Sequence, residues 1–262
     1  MPVFVARHIL IWYNLHCRKV KLMKIIVVDN YEELSKTAAE LIAEVVENNP
    51  NATLGLATGS TPIGCYDLLA DFCQQKKLSF KNVSAVNLDE YVGLDKKNEQ
   101  SYAYFMRKQL FDRVDINTDN TYIPNGKAAN LSDECSRYSK LLNQTCRDVQ
   151  ILGLGSNGHI GFNEPHTPFD SVTHVVDLAE STIHDNSRLF DDETQVPRKA
   201  ITMGIAEIMQ AKRVIMLASG LNKAQAVRRM TQGEVSDNCP ASILQRHPDC
   251  VVIVDKAAAS LL

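Results

Sequence analysis

An imidazole and a carboxylate, His159 and Glu164, share the glycine-broken segment Ile151-Leu-Gly-Leu-Gly-Ser-Asn-Gly-His-Ile-Gly-Phe-Asn-Glu-Pro165 with Asn157 and Asn163. A carboxylate that fixes the tautomer and orientation of an imidazole makes an acid–base pair. Earlier in the chain, Asp89 and Glu90 close the apolar run Asn87-Leu-Asp-Glu-Tyr91. Neighbours in sequence point to different sides at a strand end, so a dyad is not expected; one acid faces a site and the other is structural. A carboxylate near apolar groups has a raised pKa and can act as a general base near neutral pH.

A second chemistry is anion binding. Thr58-Gly59-Ser60-Thr61-Pro62 places small residues and hydroxyls where a strand gives way to a helix. Exposed backbone N–H groups at the positive end of that helix suit a phosphate monoester. The turn lacks the lysine of a Walker A loop, so a nucleoside triphosphate is not implied. Arg188 and Lys223 can complete a phosphate clamp. Lys223 falls in the first turn of an expected helix, where a cation opposes the dipole unless an anion is bound. Taken singly, each feature also reads as ordinary structure: a capped helix, loop-capping acids, a structural histidine, a surface arginine.

The glycine-rich segment also spells G-x-G-x-x-G at Gly153, Gly155 and Gly158, with Asp177 at a ribose-binding distance beyond. A dinucleotide site needs a helix opening at the third glycine. Gly161 and Pro165 oppose that helix. No H-E-x-x-H, paired Cys/His set or G-x-S-x-G elbow occurs, so the residues give no support to metal-dependent or serine-hydrolase chemistry.

These residues need elements to position them. Apolar periodicity predicts strands at Lys24–Val28, Thr53–Ala57, Val83–Leu88, Val149–Leu154, Val214–Ala218 and Val251–Val254, with a further short strand at Val172–Val176. Helices are expected at Tyr31–Glu47, from the Thr58–Pro62 turn to about Gln75, and at Ser101–Phe111, Leu131–Asn143, Met203–Gln210 and Asn222–Met230. Such alternation predicts an α/β chain with a mainly parallel sheet covered on both faces. Ligands bind outside the carboxyl ends of such strands. Thr58–Thr61, Asp89-Glu90-Tyr91, Ser156–Glu164 and Ser219-Gly220 each follow an expected strand, so all four belong on one rim. No repeat or interdomain linker divides the chain, and one domain over residues 23–262 is expected, with the irregular stretch 156–200 as a lid or subdomain.

The bulk composition narrows the function classes. The 262 residues are 45% hydrophobic and 23% charged, with a net charge of -3 that offers no footprint for nucleic acid or an acidic membrane. No apolar run reaches the roughly 18 residues of a membrane span. Seven cysteines without a C-x-x-C pairing fit reduced thiols in a cytoplasmic protein better than a disulfide framework. Residues 1–22 lack the order of charge, apolar block and cleavage site of a signal peptide. They read as a non-native extension upstream of Met23 or as a peripheral amphipathic helix.

Taken together, Gly55-Leu-Ala-Thr-Gly-Ser-Thr-Pro62, Asn87-Leu-Asp-Glu-Tyr-Val-Gly-Leu94, Gln100-Ser-Tyr102, Gly158-His-Ile-Gly-Phe-Asn-Glu-Pro165, Asn186-Ser-Arg188 and Ser219-Gly-Leu-Asn-Lys-Ala224 resemble the glucosamine/galactosamine-6-phosphate isomerase family, in its shorter-chain glucosamine-6-phosphate deaminase branch. The resemblance covers Met23 to the C-terminus. It implies a Rossmann-like three-layer α/β/α sandwich and conversion of glucosamine 6-phosphate and water to fructose 6-phosphate and ammonia, in N-acetylglucosamine catabolism, without a cofactor or metal. It places the enolisation base on Asp89, the ring-opening residue on His159 and its orienting acid on Glu164. Phosphate contacts fall on Thr58, Gly59, Ser60, Thr61, Arg188 and Lys223. Asn157 stands where some family members carry Asp, and the branch with shorter chains has Asn there; an Asn still hydrogen-bonds the histidine but makes imidazolium less favoured than an Asp does.

The longer, hexameric branch binds an allosteric ligand through basic residues after the Glu-Pro and has a long C-terminal extension. Phe169–Val176 carries no such residues and the extension is missing, so a non-allosteric monomer is expected. Three other readings compete. A 6-phosphogluconolactonase-like hydrolase shares the fold and phosphate turn but lacks Phe-Asn-Glu-Pro after its histidine and usually has Asp-Glu-Arg at Asp89-Glu90-Tyr91. A non-catalytic sugar-phosphate-sensing domain needs an N-terminal helix-turn-helix, for which residues 1–22 leave no room. The dinucleotide-dependent dehydrogenase comes third.

Overall fold

In the computed structural model, residues 9–11, 23–178 and 197–262 are described. The first half runs β1 (Ile9–Ile11), β2 (Lys24–Val28), α1 (Tyr31–Asn48), β3 (Thr53–Leu56), α2 (Ile63–Gln74), β4 (Ser84–Asn87), β5 (Asp89–Tyr91), α3 (Tyr102–Gln109), β6 (Thr121–Tyr122) and α4 (Leu131–Gln144). It continues with β7 (Val149–Gly153), β8 (His174–Asp177), β9 (Lys199–Thr202), α5 (Ile205–Ile208), β10 (Val214–Ala218), α6 (Ala224–Gln232) and β11 (Cys250–Asp255).

Local chemistry sets the helix bounds. Asn30 caps α1 by accepting from Glu33 N at 3.0 Å, and Asn130 caps α4 in the same way from Ser132 N and Asp133 N. Removing one such cap costs about 1 kcal/mol. The strands form because their apolar, β-branched runs are buried on both faces: every residue of β3, β10 and β11 is buried.

The main sheet has the order β1-β2-β11-β10-β7-β3-β4-β6. Neighbours from β2 to β6 are parallel, and β1 pairs antiparallel with β2 at the edge. This is the mainly parallel α/β architecture that the alternation of elements predicts. The amphipathic-helix reading of residues 1–22 is corrected at Ile9–Ile11, which are extended and pair with Ile25, Ile26 and Val27. An edge strand presents unpaired N–H and C=O groups, and a neighbouring extended segment satisfies them.

The sheet order explains how the site is gathered. β4, β3, β7 and β10 lie side by side and point the same way. The loops leaving their carboxyl ends are therefore adjacent along one rim. The loop after β4 departs from expectation: after Leu88 the chain enters β5, the edge of a second, antiparallel sheet ordered β5-β9-β8. Leu88 is the corner, donating to Leu56 O at 3.2 Å and accepting from Met203 N at 2.7 Å. The expected irregular region thus contributes two strands, β8 and β9, and Asp89 pairs with Thr202 where the two sheets meet.

Candidate active site

A cavity of about 190 Å³ opens on this rim, lined by Thr58, Gly59, Ser60, Thr61, Asp89, Tyr102, His159, Gly161, Phe162 and Lys223 among others. Sites for drug-sized ligands run to about 300–1,000 Å³, so this one suits a small metabolite. The structure brings together the four loops that the sequence assigns to the rim. Arg188 lies outside the described residues.

The two acids separate as their alternation requires. Asp89 lines the cavity and is 5% exposed. Burial, and then the charge of Glu90 beside it, push its carboxyl up to about 8. Glu90 turns away and accepts from Tyr91 N, Tyr102 N and Ala103 N, each at 2.9 Å. It is thereby the anionic cap on the first turn of α3. Burial raises the Glu90 carboxyl above its usual range, against the pull of those three amides.

The Thr58–Thr61 turn connects β3 to α2. Gly59 has a φ of +92°, a left-handed conformation that glycine adopts without strain. Pro62 is the N-cap of α2. The Tyr31 hydroxyl accepts from Gly64 N at 2.9 Å and donates to Ser60 O at 3.1 Å, bracing the turn from α1. Thr58 also hydrogen-bonds the Tyr102 phenol.

The glycine-rich segment forms turns after β7, and no helix starts at Gly158. Gly158 has a φ of +94°. The backbone folds back on itself, with Gly155 N donating to His159 O at 3.0 Å. A side chain at Gly155 would meet the imidazole, since an added Cβ falls 2.4 Å from His159 Cε1. The glycine therefore gives the ring its seat against the strand end. His159 Nδ1 faces Glu164 Oε2 at 3.5 Å. Asn157 donates to the same Oε2 at 2.6 Å, and its Oδ1 accepts from His159 N at 3.1 Å. Asn157 thus touches the histidine through its backbone rather than through the ring. Asn163 is fully buried and donates to Ile160 O and Met203 O, which makes it a strut of the loop.

Lys223 ends a 3-10 turn and is the N-cap of α6, just before the first helical turn in which the sequence places it. That turn is anchored by Asp255, which accepts from Ser219 Oγ at 2.5 Å and from Gly220 N.

Four side chains belong to the site without having been singled out by residue chemistry. Tyr102 and Phe162 line the cavity with their rings stacked at 6.1 Å, and Tyr91 packs against both. Thr202 Oγ1 accepts from Phe162 N at 3.1 Å, tying the histidine loop to β9 beside Asp89. Tyr102 was reachable from the Gln100-Ser-Tyr102 motif; Thr202 carries no local signal because its role depends on strand pairing.

A parallel sheet whose rim joins a small-residue phosphate-type turn to a buried acid and a His–Glu pair defines a sugar-phosphate enzyme class. The chain belongs to the family described as glucosamine-6-phosphate isomerases/6-phosphogluconolactonase, whose model matches residues 29–253. Within that family it is 50% identical over 241 residues to a glucosamine-6-phosphate deaminase of Mycoplasma mycoides subsp. mycoides, covering 92% of this chain and 98% of the relative. The deaminase of Clostridium botulinum (strain Langeland) is 51% identical, with coverage of 92% and 99%. Among solved structures, a monomeric glucosamine-6-phosphate deaminase superposes with a TM-score of 0.90 at 46% identity, over 92% of this chain and 100% of that one. A 6-phosphogluconolactonase from Trypanosoma brucei shares the fold, with a TM-score of 0.72 at 24% identity over 93% and 100% of the chains.

Proposed function

We propose that this chain is a glucosamine-6-phosphate deaminase, releasing ammonia and fructose 6-phosphate. The observation that carries this reading is the shared cavity: an acid pushed up to about 8, an imidazole backed by a carboxylate, and a phosphate-type turn all face it. Relatives of that activity are about half identical over nearly their whole length, whereas the lactonase of Trypanosoma brucei is 24% identical.

The geometry supports the following route. The substrate phosphate sits at Thr58–Thr61 with Lys223 as counter-charge; the role of Arg188 in the clamp rests on the family resemblance alone. His159, oriented by Glu164 and Asn157, moves the proton of the anomeric hydroxyl to the ring oxygen, and the pyranose opens to the aldehyde. Asp89 takes the proton from carbon 2 and returns it to carbon 1; the substrate ammonium gives a proton to the aldehyde oxygen, so that carbon 1 becomes a hydroxymethyl group and the carbon 2–nitrogen bond a protonated imine. Water adds to carbon 2 and the amine leaves as ammonia. Each bond change is coupled to a proton transfer, which a well-placed acid or base accelerates by about 10²–10⁴.

The enzyme is further proposed to be a non-allosteric monomer of the cytoplasm, with its catalytic unit in residues 23–262; of the lid expected over residues 156–200, residues 179–196 lie outside the described residues. Support for the monomer comes from the monomeric structural relative; support for the lack of allostery comes from Phe169–Val176, which has no Lys or Arg. The cysteines among the described residues are unpaired, as a reducing compartment favours. No described helix is long and apolar enough to cross a membrane.

The test is product analysis with two substrates. Glucosamine 6-phosphate is expected to give equimolar ammonia and fructose 6-phosphate. Hydrolysis of 6-phosphogluconolactone above its spontaneous rate, with no ammonia from the amino sugar, would favour the lactonase reading instead.

A further inference from the structure

The histidine loop is held from behind by a residue that no step of the chemistry uses. Arg229 lies on α6, the helix whose N-cap is Lys223. Its guanidinium donates through Nη1 to Asn157 O at 3.3 Å and through Nη2 to Asn238 O. The segment around Asn238 is a backstop for the same loop. Ala241 N donates to Gly158 O at 2.9 Å, His166 N donates to Asp237 O at 2.8 Å, and Gly158 packs so closely on Cys239 that an added Cβ would fall 2.6 Å from its sulfur.

Arg229 therefore joins three parts: the Asn157 peptide, the backstop and α6. The Asn157 peptide is the sensitive one. Its side chain holds Glu164 Oε2 and accepts from His159 N, so a shift of this residue moves both members of the acid–base pair. One short helix consequently carries, at its start, the cation facing the phosphate turn and, in its last turn, the clamp on the histidine loop. A planar guanidinium reaches two carbonyls at once with fixed geometry, which an ammonium on a flexible stem does not.

We propose that Arg229 is a positioning residue for ring opening, holding the Asn157 carbonyl so that His159 and Glu164 stand in register over the cavity. This rests on the deaminase reading above. Misplacement of a reacting group by about 1 Å can cost on the order of 100-fold in rate. Only ring opening uses His159, so the loss falls on turnover of the cyclic substrate and spares binding of a ligand that has no ring.

The experiment compares wild type, Arg229→Met and Arg229→Lys for ammonia release from glucosamine 6-phosphate and for inhibition by the acyclic amino-alditol 6-phosphate. For Arg229→Met the expected result is a kcat lowered about 10- to 100-fold, with the inhibition constant of the acyclic compound held within about twofold. Arg229→Lys should recover part of the kcat. An unchanged kcat in Arg229→Met overturns the inference. So does a kcat that falls together with affinity for the acyclic compound, because the defect is then general. If Arg229→Met does not fold, Arg229→Gln, which keeps a donor for one of the two carbonyls, is judged by the same pair of measurements. A wild type that releases no ammonia overturns the deaminase reading itself, a result distinct from an active wild type with an indifferent Arg229.

Discussion

Asn157 Nδ2 donates to Glu164 Oε2 at 2.6 Å, and that oxygen is the one facing His159 Nδ1 at 3.5 Å. A single carboxylate oxygen is thus held by an amide on one side and offered to an imidazole on the other. Glu164→Gln keeps the shape and removes the charge that supports the imidazolium. A fall in kcat on the order of 100-fold is expected, within the range for acid–base catalysis, with a smaller change in KM. Steady-state kinetics check it; an unchanged kcat would show that Glu164 does not serve the histidine.

Asn157→Asp puts a second carboxylate against Glu164. Two such groups at this distance do not both ionise at their ordinary pH, and the added negative charge favours protonation of the cluster. The acidic limb of the pH–rate profile for kcat/KM is expected to move to higher pH than in wild type. Superimposable profiles would refute the electrostatic role given to this position.

Asp89 acts on the same, rising limb. A base must be ionised, and the buried carboxyl stands at about 8 in the free protein, so kcat/KM should rise with pH up to that region. A cationic amine on the bound substrate favours the carboxylate, so the matching limb in kcat should lie at lower pH. Stability runs the other way. The native state keeps the proton between the ordinary carboxylate value of 3.8 and about 8, where the unfolded chain has lost it; this group's contribution therefore declines as pH rises through that window. Asp89→Asn should raise the melting temperature relative to wild type, with a gap that widens from pH 5 to pH 8. A gap that is flat or narrowing with pH would contradict the buried acid.

Gly155 is predicted to be intolerant for a steric reason alone. Gly155→Ala drives a methyl to within 2.4 Å of the imidazole, and the ring must leave its seat beside Glu164. Turnover should drop about 10-fold or more, while the strand core is left intact and the fold persists by circular dichroism. Wild-type turnover in this variant would mean the ring sits elsewhere in solution.

Much of this arrangement was legible from residue types because it follows strand ends. Lys24–Val28 and Val214–Ala218 are strands over the bounds that their apolar runs predict. Asp89, His159, Lys223 and the Thr58–Thr61 turn face one cavity because β4, β3, β7 and β10 are neighbours. What remained hidden depends on distant partners. Asp89–Tyr91 is charged and too short to show a period, and it is a strand because Thr202, Ile201 and Ala200 pair with it. Thr121–Tyr122 is similar, recruited by Ala85 and Val86. Arg229 acts on backbone carbonyls, which every residue has, so nothing in the sequence marks its targets. The G-x-G-x-x-G spacing misleads for the same reason, since its meaning lies in the helix that must follow and is not there.

The most direct test is ammonia release from glucosamine 6-phosphate by wild type and Asp89→Asn, assayed side by side. The expected result is stoichiometric ammonia from wild type and a loss on the order of 10²–10⁴-fold in the variant, which should remain folded. No ammonia from wild type, or undiminished release by Asp89→Asn, would contradict the account.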